Sequence, residues 1–274
     1  MSLSIRNNVA SLNAQRNLYN TQNALDSSLS RLSSGFRITK AADDAAGLGI
    51  SANLEAEIRS ANQAVRNATD GQSVVQTAEG SLNEVTNLLT RIRELATQSA
   101  SDGIGATERG YIQTENTALQ SEIDRLANVT EFNGTKLLDG SAATLDFQVG
   151  IRNTANDVIS FTTLDARAAT LFAVAPDLST KAGAQAALAT VDTALQAVST
   201  ARSTIGAAGN RFSSAIASLQ SFAENLTAAD SRIKDVDVAA ETSALSRSQI
   251  LAQAGVSVLA SANQAPQLAL KLLQ

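Results

Sequence analysis

The densest group of chemically capable residues is Asp43-Asp44, followed closely by Gly47 and Gly49. Adjacent carboxylates could share acid/base work or hold a hard cation. These two precede a long helical pattern, where acids favour the positive end of the helix dipole, and capping is the better reading. The glycines are spaced only Gly-x-Gly, without a preceding strand or a Gly-Lys-Ser/Thr continuation, so they do not make a phosphate loop. Histidine and cysteine are absent from the 274 residues. That excludes disulfides, thiolate metal sites and a cysteine nucleophile, and removes the commonest general base. Carboxylate or lysine chemistry stays open, but no pattern calls for it. The expectation is no enzyme, no cofactor and no metal. Asn67, Asn128, Asn133 and Asn225 begin Asn-x-Ser/Thr triplets, which are mostly chance.

The surrounding elements point to long helices. Hydrophobic residues are 44% of the chain and aromatics 3%, and there are two prolines. An alanine-rich, proline-poor composition favours helices over a thick globular core. The net charge of -5 argues against nucleic acid as a partner. Residues 1–40 are locally basic, with Arg6, Arg16, Arg31, Arg37 and Lys40 against Asp26. They carry too few cations on the polar face for a membrane helix, and no segment has the roughly 18 apolar residues of a membrane span. The start has no apolar run of signal-peptide length.

Apolar residues recur every seven positions at Leu54, Ala61, Ala68, Val75, Leu82, Leu89 and Ala96. They do so again at Ala184, Val191, Val198, Ile205, Phe212, Leu219, Leu226 and Ile233. Such spacing makes one stripe along a helix, and each stretch predicts a rod of roughly 60–80 Å. Gly71, Gly80, Gly206 and Gly209 each cost about 1 kcal/mol in a helix. The phase continues across them, with a break most expected near Gly206–Gly209. A third helix fits 107–130 after a turn at 101–105. Asn133-Gly134 and Asp139-Gly140 are turn dipeptides, and alternation at Leu145, Phe147 and Val149, then at Val158, Ile159 and Phe161, predicts a β-hairpin within 132–165. Residues 166–183 read as a short variable loop.

Both ends are helical by spacing. Ile5, Leu12, Leu18, Leu25, Leu29 and Leu32 form one candidate assembly stripe, and Leu245, Ile250, Val256, Leu259, Leu268 and Leu272 the other. The expected architecture is mainly α: a long antiparallel helical-hairpin rod over 41–233, with a terminal domain in which 1–40 pairs with 234–274. A lone helix pair buries little surface and is marginal in water. Other copies of the chain could complete it by head-to-tail contacts that build rings or filaments. Periodicity alone leaves a monomeric bundle equally open.

Five motifs bear on that choice: Leu32-Ser33-Ser34-Gly35-Phe36-Arg37-Ile38 with Ala42-Asp43-Asp44-Ala45-Ala46-Gly47; Thr90-Arg91-Ile92-Arg93-Glu94-Leu95-Ala96; Glu131-Phe132-Asn133-Gly134-Thr135-Lys136-Leu137-Leu138; Ser246-Arg247-Ser248-Gln249-Ile250-Leu251 with Gln253-Ala254-Gly255; and Ala262-Asn263-Gln264-Ala265-Pro266-Gln267. In this order they resemble the bacterial flagellins over roughly 1–150 and 190–274. The resemblance implies a homopolymeric filament used for swimming, with terminal helices lining an inner tube and the rod forming an outer one. It implies type III export without a cleaved signal, an extracellular location, cap and junction proteins as partners, and an export chaperone at the C-terminal helix. It places Arg91, Leu95 and Glu115 where a host Toll-like receptor contacts the family, subunit packing being the other reading of that face. The alternative is a hook-filament junction protein, which resembles flagellin at its ends but diverges in the rod. The short middle implies no large outer domain.

Overall fold

The computed structural model describes residues 7–142 and 144–271, with side chains described as far as Gln264. It is mainly α, with two small antiparallel sheets. The helices are α1 (Val9–Ser34), α2 (Ala45–Ser99), α3 (Ala106–Val129), the single turn α4 (Ala168–Leu171), α5 (Lys181–Lys234) and α6 (Val238–Lys271). Between α3 and α4 lie β1 (Glu131–Phe132), β2 (Thr135–Lys136), β3 (Thr144–Gln148) and β4 (Val158–Thr162). The chain divides into two compact units, residues 1–56 with 225–274, and residues 57–224. The bounds of these units fall within α2 and α5.

In the unit of residues 57–224, the heptad positions become the core. Ala61, Ala68, Leu82, Leu89 and Ala96 of α2 are fully buried, as are Ala184, Val191, Val198, Ile205 and Phe212 of α5. Ile123 and Ala127 of α3 join Ala68, Leu82, Leu89, Val191, Val198, Ile205 and Phe212 in the main cluster, while Ala96 and Ala184 belong to a second, smaller one. Helix α5 runs unbroken through Gly206 and Gly209. A Cβ on Gly71 would lie 2.6 Å from the Phe212 ring, and one on Gly209 would lie 3.3 Å from Val75. Burial of Ile205, Ala208 and Phe212 outweighs the helix cost of Gly206 and Gly209, so the break expected there from propensity does not form.

The β3–β4 hairpin is where alternation predicts it, in a register that sets Leu145 opposite Phe161 and Phe147 opposite Ile159. Phe147 and Phe161 stack at 6.0 Å, and Phe212 meets them edge-on at 5.4 and 6.5 Å. The sequence pattern did not reveal the smaller β1–β2 hairpin. It turns at Asn133 and Gly134, whose φ of 48° and 79° define a type I′ turn. The segment 166–183, expected as a loop, holds α4 and buries Ala166, Leu171, Phe172 and Leu178. Its backbone is held by side chains from two helices. Ser99 donates to the Leu178 carbonyl at 2.6 Å, and Asn116 to that of Pro176 at 2.7 Å. Gln113 accepts from the Leu178 amide at 2.7 Å, and Asp124 from Ala168 at 2.7 Å. Irregular backbone is buried here because its polar groups are satisfied individually.

Candidate assembly surface

Helices α1 and α6 pack on each other in the unit formed by the chain's two ends. The pairing is antiparallel. Asn8 donates to the Ala262 carbonyl at 2.8 Å, Ser11 to the Asn263 side chain at 2.8 Å, and Arg31 approaches Glu241 at 3.8 Å. Asn8 also caps α1 by accepting from the Ser11 amide, and Gly35 closes it in the left-handed conformation.

Apart from Arg31, which reaches Glu241, the covered positions of α1 are Ser11, Ala14, Leu18, Thr21, Leu25, Ser28 and Leu32; those of α6 are Glu241, Leu245, Ser248, Ala252, Gly255, Leu259 and Ala262. Both series alternate steps of three and four, the spacing of a coiled-coil seam. Most members are small or polar. Gly255 lets Leu18 approach to 3.3 Å of where a Cβ would stand. The sequence stripe therefore splits into two faces. Leu18, Leu25, Leu32, Leu245 and Leu259 belong to the seam. Leu12, Leu29, Ile250 and Val256 are 56, 46, 67 and 57% exposed. Ile5 and Leu272 lie outside the described residues, as does the side chain of Leu268. Reading apolar residues alone merged the faces, because the serines, alanines and the glycine of the seam carry no hydrophobic signal. It also missed Val9, Tyr19, Val238, Leu251 and Val258, all exposed on the same two helices. Of the 15 large apolar side chains exposed among the described residues, 11 belong to this unit.

The junctions at the base of the pair are tied together. Phe36 bridges Asp235, the Arg37 amide donates to the Lys234 carbonyl at 2.6 Å, and the Lys234 ammonium stands 4.5 Å over the Phe36 ring. Asp43 and Asp44 serve the backbone. Asp44 accepts from the Gly47 amide at 2.8 Å and so caps α2, while Asp43 accepts from the Thr39 and Lys40 amides at 3.0 Å. The Thr39 amide, foremost, holds the Asp43 carboxyl below its usual range. A Cβ at Gly47 would collide with Asp44 and Ile38, so close packing requires that glycine. Among the described residues no cluster of acids could hold a metal ion, and no helix is long and apolar enough to cross a membrane.

In the other unit, Arg91 of α2 and Glu115 of α3 pair, with Arg91 Nε 2.9 Å from Glu115 and Nη1 3.0 Å from Glu94. The hydrogen bond to Glu115 leads in holding the guanidinium pKa above its usual value. All three side chains are exposed. Leu95 does not join them. It is 2% exposed and packs with Ala96, Ile112, Leu178, Ala184 and Ala187. Position 95 follows Leu88 and Ile92 along the buried side of α2, so Arg91 can share a helical edge with it while pointing outward.

Paired terminal helices that leave large apolar side chains in solvent, together with a separately packed helical unit and no metal cluster among the described residues, fit a structural subunit. Family models of the bacterial flagellin N-terminal helical region and the bacterial flagellin C-terminal helical region match residues 5–143 and 188–273. A flagellin from Halalkalibacterium halodurans is 42% identical over 98% of this chain and 99% of its own, and one from Bacillus subtilis 39% identical over 98% and 99%. The crystal structure of Bacillus cereus flagellin matches with a TM-score of 0.51 and 29% identity, over 60% of this chain and 94% of that one. A structure assigned as a flagellar hook-associated protein from Vibrio parahaemolyticus has a TM-score of 0.61 at 15% identity, covering 70% and 100%, a likeness of fold alone. The chain belongs to the bacterial flagellins. It is a subunit that polymerises with its own kind into the flagellar filament, an extracellular appendage of swimming.

Proposed function

We propose that the outward faces of α1 and α6 are the surfaces through which subunits join, and that the paired ends form the filament's inner tube around which the other unit makes the outer layer. One observation carries this reading. The pair encloses mostly small and polar residues and leaves Val9, Leu12, Leu29, Ile250, Leu251, Val256 and Val258 in solvent. Exposed apolar area of that extent calls for a protein partner. An export chaperone on the C-terminal helix would shield the same residues before secretion, and cap and junction proteins would meet them at the filament ends. The chain works by assembly and not as an enzyme. The exposed Arg91–Glu115 pair is the part of the rod offered to a host Toll-like receptor; Leu95 is buried and lies outside that surface. The test is deletion of residues 1–35. Seeded with filaments and imaged by electron microscopy, the deletion should fail to polymerise while the unit of residues 57–224 keeps its helicity. Normal filaments from the shortened chain would refute the role given to the ends.

A further inference from the structure

The β1–β2 turn combines a reactive sequence with a protective shape. Asn133 is exposed and is followed by Gly134, and no other asparagine of the chain precedes glycine. Glycine puts no side chain in the way of its own amide nitrogen. That nitrogen can attack the asparagine side-chain carbonyl. In this step the Gly134 nitrogen bonds to Asn133 Cγ, the Cγ–Nδ2 bond breaks, and the side-chain nitrogen leaves as ammonia with the amide proton. Water then opens the cyclic imide at either carbonyl, giving aspartate or isoaspartate. No oxidant or cofactor is required.

Ring closure needs the Gly134 nitrogen on the same side of the Cα–C bond as the Asn133 Cβ. Both turn residues have positive φ, 48° and 79°. A type I′ turn sets ψ of its first central residue near about +30°, which turns that nitrogen nearly opposite the Cβ. The hairpin is held in this shape by the Glu131↔Lys136 and Phe132↔Thr135 pairs, by the Lys136–Glu131 ion pair, and by Phe132 packed against the main core. We propose that Asn133 is a deamidation site gated by the fold: closed while the β1–β2 hairpin is formed, and converting to aspartate or isoaspartate whenever it opens. Conversion is then self-reinforcing. Isoaspartate adds a backbone atom to a two-residue turn, which shifts Phe132 out of register with Thr135. Aspartate adds a negative charge two residues from Glu131.

The test is peptide mapping of the purified full-length chain, held at mildly alkaline pH in buffer and, in parallel, in guanidinium chloride. Amide-to-acid conversion is read by mass, and isoaspartate by chromatography of the 131–136 peptide. In denaturant, Asn133 should convert faster than Asn87 and Asn128, which precede leucine and valine. In buffer its rate should fall about tenfold or more, as for a segment open one part in ten or less. Phe132→Ala, which unpins the hairpin, should raise the rate in buffer and leave that in denaturant unchanged. No preferential conversion in denaturant would overturn the site. Equal rates in buffer and denaturant, or a Phe132→Ala rate in buffer no higher than the parent's, would overturn the gate.

Discussion

Replacing Ile250 by serine isolates the outward face of α6. Ile250 is 67% exposed, so the monomer loses little packing, and serine in place of isoleucine changes helix propensity by only a few tenths of a kcal/mol. If the face is buried between subunits, the polymer loses the burial of that exposed fraction. Fully burying such a side chain contributes about 1.5–3 kcal/mol, and two-thirds of that is about 1–2 kcal/mol. At about 1.4 kcal/mol per tenfold, the critical concentration should rise roughly five- to thirtyfold. The assay pellets seeded filaments over a dilution series and reads the soluble plateau, with circular dichroism of the monomer as control. The double change Ile250→Ser with Leu251→Ser should raise the plateau further. An unchanged plateau in both variants, with filaments still forming, would refute the assignment of this face.

The glycines give a paired prediction for the other unit. Gly71→Ala should destabilise it by about 1–3 kcal/mol in denaturant melts, because the new methyl would stand 2.6 Å from the Phe212 ring. Gly80→Ala meets nothing within 4 Å and should stabilise by about 0.5–1 kcal/mol. Asp165 supplies a pH dependence. Its hydrogen bond from Arg167, foremost, lowers its pKa from 3.8 to about 2. A depressed folded-state value gives stability that is present above the ordinary pKa and lost as pH falls through the folded one. Asp165→Asn should therefore melt below the parent at neutral pH and converge with it between about pH 4 and pH 2. Arg91→Ala breaks only exposed ion pairs and should change stability by less than about 1 kcal/mol. Weaker receptor activation by that variant would then report lost contact, and unchanged activation would remove Arg91 from the surface.

What the sequence disclosed followed the hydrophobic signal. Leu82, Leu89, Val191 and Phe212 stand seven apart from their neighbours and are all buried. The β3–β4 alternation was equally legible, since its inward residues are large. Features built from polar groups were not. The order in residues 166–183 depends on Ser99, Gln113, Asn116 and Asp124 reaching its backbone from distant positions. No local pattern encodes such bonds. The resemblance grouped Leu95 with Arg91 and Glu115, yet Leu95 is buried, because the direction of each side chain depends on what packs above it. The terminal stripes were merged for the related reason that Ser11, Ala14, Ser28, Ser248 and Gly255 form a seam without hydrophobic contrast.

That seam is the physical ground for the proposal that the ends act through assembly. A self-sufficient helical hairpin puts its large apolar residues between the helices and its small or polar ones outside. Here Ser11, Ala14 and Ser28 are the buried residues of α1, and Leu12 and Leu29 beside them face solvent. Small seam residues bring two helices close and fix their register, but each removes little apolar area from water, and area is what stabilises the pair. Leu18, Leu25, Leu32, Leu245 and Leu259 contribute within the seam, but the outward large residues can contribute only through contacts made from outside. Enlarging the seam should thus uncouple the two roles. Gly255→Ala adds a methyl 3.3 Å from Leu18, a gap a flexible leucine end can yield. It also removes a glycine from mid-helix, so the paired ends of the monomer should gain protection from proteolysis. The outward residues are untouched, and the interface area between subunits should stay the same. Filaments of this variant should elongate from seeds at a critical concentration no higher than the parent's. A large rise would mean that the seam itself must repack during assembly, and that the α1–α6 pair of the monomer is not the pair of the filament.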